Sequence, residues 1–274
     1  MITYNRPVYT RLSLERLLTT ADERTRVWVW HNGDDQETLG VVRDFEGHPR
    51  LHRVHHSPEN VRLREPTNWL YREGEGQYVS KVDDDCLVPH GWIQTFREMH
   101  EREPKLGVVA CWHFQEADYS SERSAHKTVT IGNGHRLIRN PWVGGSGYLL
   151  KRACIDRHGI LGEGDSATEY WIRLARAGWL VGWAYPLVIQ DHMDDPRSAH
   201  TMIRSDEDLE RMMPLSARNF GAGSLAAWDA QLRRSARLVQ KAPYDPRVYA
   251  PWRRTLRRRW RRVARVLGIE APAW

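Results

Sequence analysis

The chain has 274 residues, with 41 Lys and Arg against 35 Asp and Glu, for a net charge of +6. Hydrophobic residues make up 41% and charged residues 28%, which is enough apolar material for a sizeable core and excludes a wholly disordered chain. No apolar run approaches the ~18–20 residues that span a bilayer. The opening Met1-Ile2-Thr3-Tyr4-Asn5-Arg6 carries no apolar leader, and Cys86, Cys111 and Cys154 have neither a disulfide pattern nor a zinc spacing. Together these features predict a cytoplasmic protein.

Residues 2–5 read as a short strand that Pro7 ends, and Leu12, Leu14, Leu17 and Leu18 mark a helix over 11–20. Val27-Trp28-Val29-Trp30 is a second strand running into His31-Asn32-Gly33-Asp34-Asp35, which is turn chemistry. Residues 68–73 are helical and stop at Gly74 and Gly76. A third strand over 78–82 leads directly into Asp83-Asp84-Asp85, and Pro89 opens a helix through 101. Residues 107–112 form another strand. Gly144-Gly145-Ser146-Gly147 is a tight turn before the strand Tyr148-Leu149-Leu150. A helix over 168–177 closes at Gly178, and a β-prone stretch over 179–189 ends on Gln190-Asp191-His192. Beyond 197 the pattern is helical and increasingly basic. Strands alternating with helices predict an α/β fold with a largely parallel central sheet flanked by helices. The body spans 1–200 and a helical extension spans 201–274.

The charge is uneven. Residues 231–274 hold 13 Lys and Arg against two acids, Asp245 and Glu270, while the other 230 residues balance at −5. Within the tail, Leu256, Trp260, Val263 and Leu267 fall on one helical stripe, and Arg253, Arg254, Arg257, Arg258, Arg261, Arg262 and Arg265 mostly cover the rest. Such a helix suits an anionic membrane surface. The other reading packs the stripe on the body and leaves the arginines solvated. Nucleic acid ranks lower, because the body supplies no basic patch and no reader motif.

In α/β sheets, ligands bind at the carboxyl ends of strands. The polar clusters His31–Asp35, Asp83–Asp85 and Asp191-His192 all sit at such ends. Three consecutive aspartates repel one another unless a cation or donors balance them. Alternation places Asp83 and Asp85 on one side, a set of oxygens that suits Mg²⁺ or Mn²⁺. His192 adds a nitrogen, which favours Mn²⁺ over Mg²⁺. The competing reading is a solvated acidic turn, or a helix cap ahead of Pro89. No phosphate-binding glycine loop is present, so a phosphorylated ligand would be held by the metal and scattered basic groups.

These residues in this order resemble a family 2 glycosyltransferase with the GT-A fold. Ile2-Thr3-Tyr4-Asn5-Arg6-Pro7 is similar to the family's first-strand segment, and His31-Asn32-Gly33-Asp34-Asp35-Gln36-Glu37-Thr38 to the stretch after its second strand. Asn68, Gly76-Gln77-Tyr78-Val79 and Asp83-Asp84-Asp85 are similar to the run that leads into the family's DxD motif. Gly144-Gly145-Ser146-Gly147 with Lys151-Arg152 resembles the acceptor-side turn, and the segment from Glu169 to Trp179 resembles the helix after the family's Glu-Asp motif. The likeness covers roughly residues 1–195.

The resemblance implies transfer of a sugar from a nucleotide-diphospho-sugar to an acceptor hydroxyl on a glycan or lipid, with inversion. Asp85 would coordinate Mn²⁺ or Mg²⁺, Asp83 or Asp84 would hold the ribose or assist the metal, and His192 would complete the metal shell. Tyr4, Arg6 and Arg62 would lie beside the nucleobase and diphosphate. Two departures matter. His31 stands where the family usually has the Asp that reads uracil, with Asp35 as a possible substitute, and Ala167 stands at the usual position of the base. The carboxylates near it are Glu163, Asp165 and Glu169, of which Asp165 and then Glu169 are favoured as base. Glu169 also sits where an acid caps a helix. The competing functions are a non-catalytic sugar-nucleotide or carbohydrate-binding relative and an anionic-polymer binder. Trp112, Trp142 and Trp171 are acceptor-site candidates, and the basic tail would hold the protein on the inner membrane face.

Overall fold

The computed structural model describes residues 1–250, so the basic stripe expected over 253–267 lies outside the described residues. The chain opens with strand β1 (Ile2–Thr3) and helix α1 (Pro7–Thr20). Pro7 starts this helix instead of merely ending the strand, since its missing N–H falls among amides that a first turn leaves unpaired anyway. Strand β2 (Val27–Asn32) leads to helix α2 (Gln36–Arg43), strand β3 (Leu51–Ser57) and helix α3 (Arg64–Glu73). The three strands form a parallel sheet in the order β1-β2-β3. The sequence reading did not anticipate α2 or β3. Strand β3 has four His and Arg among its seven residues and lies at a sheet edge, half exposed, so hydrophobic alternation is blurred there.

Next come β4 (Tyr78–Val79), β5 (Cys86–Leu87), helix α4 (Trp92–Arg102), β6 (Leu106–Ala110), the one-turn helix α5 (Ser121–Ser124), β7 (Thr128–Gly132) and β8 (His135–Arg139). Then follow β9 (Tyr148–Lys151), helices α6 (Arg152–His158) and α7 (Ala167–Arg176), β10 (Leu180–Tyr185) and β11 (Asp191–His192). A six-stranded sheet runs β4-β9-β6-β10-β8-β7, with β6 and β10 parallel and the other neighbours antiparallel. The fold is thus α/β, parallel in its first sheet and mixed in its second. The hairpin β7–β8, also unanticipated, turns at Asn133-Gly134, both with positive φ, the pairing that two-residue hairpin turns demand.

Strand β6 is buried throughout because both sheet faces are covered. Val109 and the following Cys111 point into a core with Leu14, Val29, Trp92, Phe96 and Met99. Val108, Ala110 and Trp112 point into the opposite core with Tyr148, Trp171, Leu174 and Trp183. Trp112 and Trp171 are therefore core residues, not acceptor platforms, and their rings pack edge-on against Trp183 and Tyr148. Trp142 is half-buried against the edge of Tyr249.

Helices α8 (Asp206–Met212), α9 (Leu215–Phe220) and α10 (Leu225–Lys241) enclose their own small core around Ile203, Leu209, Trp228 and Leu232. Several polar ties hold them to the body. Trp228 donates through Nε1 to the Asp194 carbonyl (2.8 Å). Gln240 accepts from Ser120 N and donates to Asp118 O (2.7 and 2.8 Å). Arg197 bridges Asp195, Asp118 and Asp229. Buried Lys127 donates to Asn140 Oδ1 and to the carbonyls of Val239 and Ala242, a cation at the C-terminal end of α10. Among the described residues no helix is long and apolar enough to cross a membrane.

Candidate active site

The aspartate run lies between β4 and β5, where Asp83 bridges in parallel to Ile2 and so ties the tip to the first sheet. Helix α1 clamps the backbone there. Ser13 donates to Asp83 O (3.0 Å) and Cys86 O (2.6 Å), and Tyr9 donates to Met193 O (2.9 Å). Strand β11 pairs antiparallel with β5, setting His192 opposite Cys86. The register brings His192 Nε2 to 3.8 Å from Asp85 Oδ2, although the two residues are far apart in sequence.

The three aspartates have separate fates. Asp85 faces His192 and Arg6. Burial alone would raise its carboxyl, but the neighbouring His192 and the charge of Arg6 outweigh it and hold the group well below the usual carboxylate range. Burial would lower His192, but Asp85 overrides it and raises the imidazole to about 9. Asp83 pairs with buried Lys81, and its amide donates to Ser146 Oγ (3.0 Å). Asp84 turns inward and accepts from Tyr4 N (3.0 Å) and Thr10 Oγ1 (3.4 Å). Burial, with Asp85 beside it, pushes its carboxyl upward. Asp84 thus braces the end of β1.

Arg6 reaches into the same cluster. Its guanidinium lies 3.3 Å from Asp85 Oδ2 and 2.9 Å from Asp194 Oδ2, so one cation serves two carboxylates. Asp194 was not picked out from the sequence; only the fold of the segment after β11 carries it to Arg6. The glycine turn over 144–147 closes over the tip. Gly147 donates to Lys81 O and accepts from Cys111 N, both at 2.8 Å. Its φ is +64°, and a Cβ there would run into the Gln190 side chain, so this position favours glycine. His113, also missed by the sequence reading, lies against Gly144. Burial lowers its pKa to about 3, with the charge of His192 adding to the effect.

The other predicted residues surround this tip unevenly. Tyr4 is 43% exposed, and its ring lies over Gly33, where a Cβ would approach to 3.0 Å. His31 has no exposed surface (0%). Its Nδ1 pairs with Thr3 Oγ1 (3.0 Å), Nε2 is buried without a partner among the described residues, and burial lowers its pKa, helped by His56. Asp35 caps α2 by accepting from Thr38 N (2.9 Å), and the bonds to Thr38 lower its pKa. Arg62 is exposed at φ +62°, and its carbonyl accepts from Asn32 Nδ2 (3.2 Å).

The base candidates stand in residues 162–166 and the start of α7. Asp165 accepts from Gly162 N (2.9 Å) and pairs with Arg173 (3.2 Å). Glu169 forms a capping box with Ser166. Asn68 pins the approach to this loop through reciprocal bonds with Leu161 N and O (3.0 and 2.9 Å). Both carboxylates therefore spend oxygens on their own loop.

Asp85, Cys86 and His192 offer ligand atoms within 4.8 Å of one another, and His192 Nδ1 and Asp194 Oδ1 are buried without partners among the described residues. Carboxylate oxygen and imidazole nitrogen suit a divalent cation, so these residues fit a metal.

This arrangement lies at strand ends of an α/β fold, where such sheets bind their ligands. The family profile described as Glycosyl transferase family 2 matches residues 1–152, more than half of the chain, and the chain belongs to that family. It is a glycosyltransferase. No curated protein sequence matches it. Among solved structures it is similar to the mannosyltransferase PcManGT from Pyrobaculum calidifontis in complex with GDP-Man and Mn²⁺, at 17% identity and TM-score 0.58, over 96% of this chain and 78% of that one. It is also similar to S. aureus TarS 1-349 in complex with UDP, at 13% identity and TM-score 0.54, over 88% of this chain and 87% of that one. A third likeness is to GalNAc-T7 with UDP, GalNAc and Mn²⁺, at 11% identity and TM-score 0.55, over 73% of this chain and 44% of that one. These likenesses establish the GT-A fold.

Proposed function

We propose that this enzyme moves a sugar, with inversion, from a nucleotide-diphospho-sugar to an acceptor hydroxyl in a reaction that needs Mn²⁺ or Mg²⁺. The observation that carries the reading is the meeting of Asp85 and His192 across the β5–β11 pair, 3.8 Å apart. Asp85 and His192 would hold the cation, with Asp83 beside them. When bound, the cation would stabilise the negative charge that develops on the departing nucleoside diphosphate.

The chain's own residues do the rest. Tyr4, exposed over Gly33, offers a ring for the nucleobase to stack on. His31 stands where the family places its uracil reader, but its ring is fully buried and would have to turn outward to meet a base edge. Arg6 balances Asp85 and Asp194, and Arg62 and Asp35 flank the nucleotide side. Asp165 takes the acceptor proton once it leaves Gly162 and Arg173, and Gly164 at φ +82° lets that loop rearrange. Glu169 is the second choice of base. The acceptor is a glycan or lipid-linked hydroxyl. The basic segment past residue 250 holds the enzyme against the anionic cytoplasmic face of a membrane.

Thermal unfolding in the presence of GDP, UDP, ADP or CDP, with and without Mn²⁺, tests the core of this reading. One diphosphate should raise the midpoint only when Mn²⁺ is present, and Asp85→Ala should abolish both that rise and donor hydrolysis. Indifference of the wild-type chain to every diphosphate and to Mn²⁺ would sink the proposal. Truncation after residue 250 tests the tail separately: cosedimentation with anionic vesicles should be lost while transfer to a soluble acceptor persists.

A further inference from the structure

We propose that His113 contacts the sugar of the donor and reads one of its hydroxyls through Nε2, beside the glycine turn over 144–147. The inference rests on the reading of Asp85 and His192 as the cation end of a nucleotide-sugar site. It adds a residue that would meet the transferred group.

The placement comes from strand register. Beyond β6 the chain keeps pairing. Trp112 N donates to Val188 O (2.8 Å), Gln190 N donates to Trp112 O (3.0 Å), and Trp112 bridges in parallel to Ile189. Trp112 and Ile189 pack in one core, so alternation turns His113 and Gln190 to the opposite face. The glycine turn covers that face, with Gly147 against the Gln190 side chain and Gly144 against His113. The same turn bonds to the aspartate tip: Gly147 N donates to Lys81 O (2.8 Å), and Ser146 Oγ accepts from Asp83 N (3.0 Å). One turn thus runs from the aspartates to His113, and the charge of His192 reaches the same imidazole.

The ring is held in place but its polar atoms are unused. Phe114 packs on it with ring centres 4.0 Å apart. Nδ1 is sealed without a partner among the described residues, and a Cβ on Gly144 would fall 3.0 Å from it. The residue as a whole is only half-buried, so the surface it keeps lies away from Nδ1, on the side of the ring that carries Nε2. Among the described residues nothing bonds to Nε2. Its surroundings keep the imidazole neutral. A hydroxyl can donate to that nitrogen or accept from it, whichever tautomer is present. A site built to bond a hydroxyl discriminates strongly against an analogue that lacks it, because its own polar group is then left unpaired. Gly144 and Gly145 put backbone instead of side chains between the tip and His113, and no local pattern marks a histidine after a buried strand as a sugar contact.

Calorimetric titration of the full-length protein in Mn²⁺ provides the test, with GDP, UDP, ADP and CDP each compared with its mannose, glucose or N-acetylglucosamine ester. For the pair that binds, His113→Ala should weaken the ester by at least about tenfold and leave the free diphosphate within about twofold. His113→Gln, whose amide nitrogen can reach the place of Nε2, should restore most of that loss. His113→Asn, which reaches only the place of Nδ1, should not. If His113→Ala fails to fold, the comparison runs between the Gln and Asn variants. Deoxy forms of the donor sugar add a readout on the wild type: loss of one hydroxyl should cost as much as His113→Ala, and the two losses should not add. Equal weakening of ester and diphosphate, no weakening of either, or a wild type indifferent to every deoxygenation overturns this inference and leaves the cation site standing. A wild type that binds no diphosphate and no ester in Mn²⁺ removes the cation site and this inference together.

Discussion

Replacing Arg6 by Met should destabilise the protein by about 3 kcal/mol. The guanidinium is the shared cation of two carboxylates, at 2.9 Å from Asp194 and 3.3 Å from Asp85. The Asp194 side chain is only 3% exposed and that of Arg6 is 20% exposed, so little water is available to compensate. Removing one partner of a buried ion pair costs about 3–5 kcal/mol. The lower end applies here, because Asp85 keeps His192 and only Asp194 is left without a cation. For a folded unit of this size each kcal/mol moves the melting point by about 2–4 °C, so the expected drop is about 6–12 °C by calorimetry. The double variant Arg6→Met with Asp194→Asn removes the stranded charge and should recover at least about half of the loss. A single variant within about 1 kcal/mol of wild type, or a double variant no better than the single, would refute the claim that Arg6 acts by balancing these carboxylates.

Three further outcomes follow from the same contacts. Asn68→Ala strands the buried N–H and C=O of Leu161, which should cost about 2–3 kcal/mol in chemical denaturation, and Asn68→Asp should cost more, because its carboxylate then faces the Leu161 carbonyl. Trp228→Phe loses the bond to the Asp194 carbonyl and part of the buried ring, and should cost about 2 kcal/mol, whereas Trp228→Ala should cost about 3–5 kcal/mol in thermal unfolding, since this ring fills the small C-terminal core. Burial holds His100 near 4, below its unfolded value of 6.5. Between those values the unfolded chain binds more protons, so stability rises with pH there, by up to ~1.4 kcal/mol per unit, and is lost as pH falls from 6.5 toward 4. His100→Gln should make that limb shallower in denaturation curves taken from pH 4 to 7, with His113, also lowered by burial, supplying slope that remains; an unchanged slope would contradict it.

Local chemistry was legible where a short stretch of chain settles the outcome. Three adjacent carboxylates at a strand end predicted a charge cluster, because Lys81 is the one cation near them in sequence and it can neutralise only one. The Ser166-x-x-Glu169 spacing is a capping signature, and the capping box forms. Asp35 also caps α2, but that helix was not anticipated, so this cap was not read from the sequence. The edge strand β3 was hidden because its polar, half-exposed residues carry no clear alternation. The Trp112 and Trp171 rings were misread as acceptor surfaces, since an aromatic near a motif looks the same whether it faces a cleft or a core.

The amino-acid sequence by itself determined the alternation of strands and helices, the acidic tip, the glycine turn beside it and the basic C-terminal segment, all of which depend on residues within one turn or one strand of each other. Only the tertiary structure decided how the three aspartates divide, with Asp85 toward His192, Asp83 toward Lys81 and Asp84 into the protein. It also decided that Arg6 serves Asp194 and that Cys86 stands opposite His192. Apart from the local Lys81–Asp83 pair, those partnerships join residues brought together by strand register and by the docking of α1, and long-range pairing of that kind leaves no trace in the local pattern from which a sequence is read.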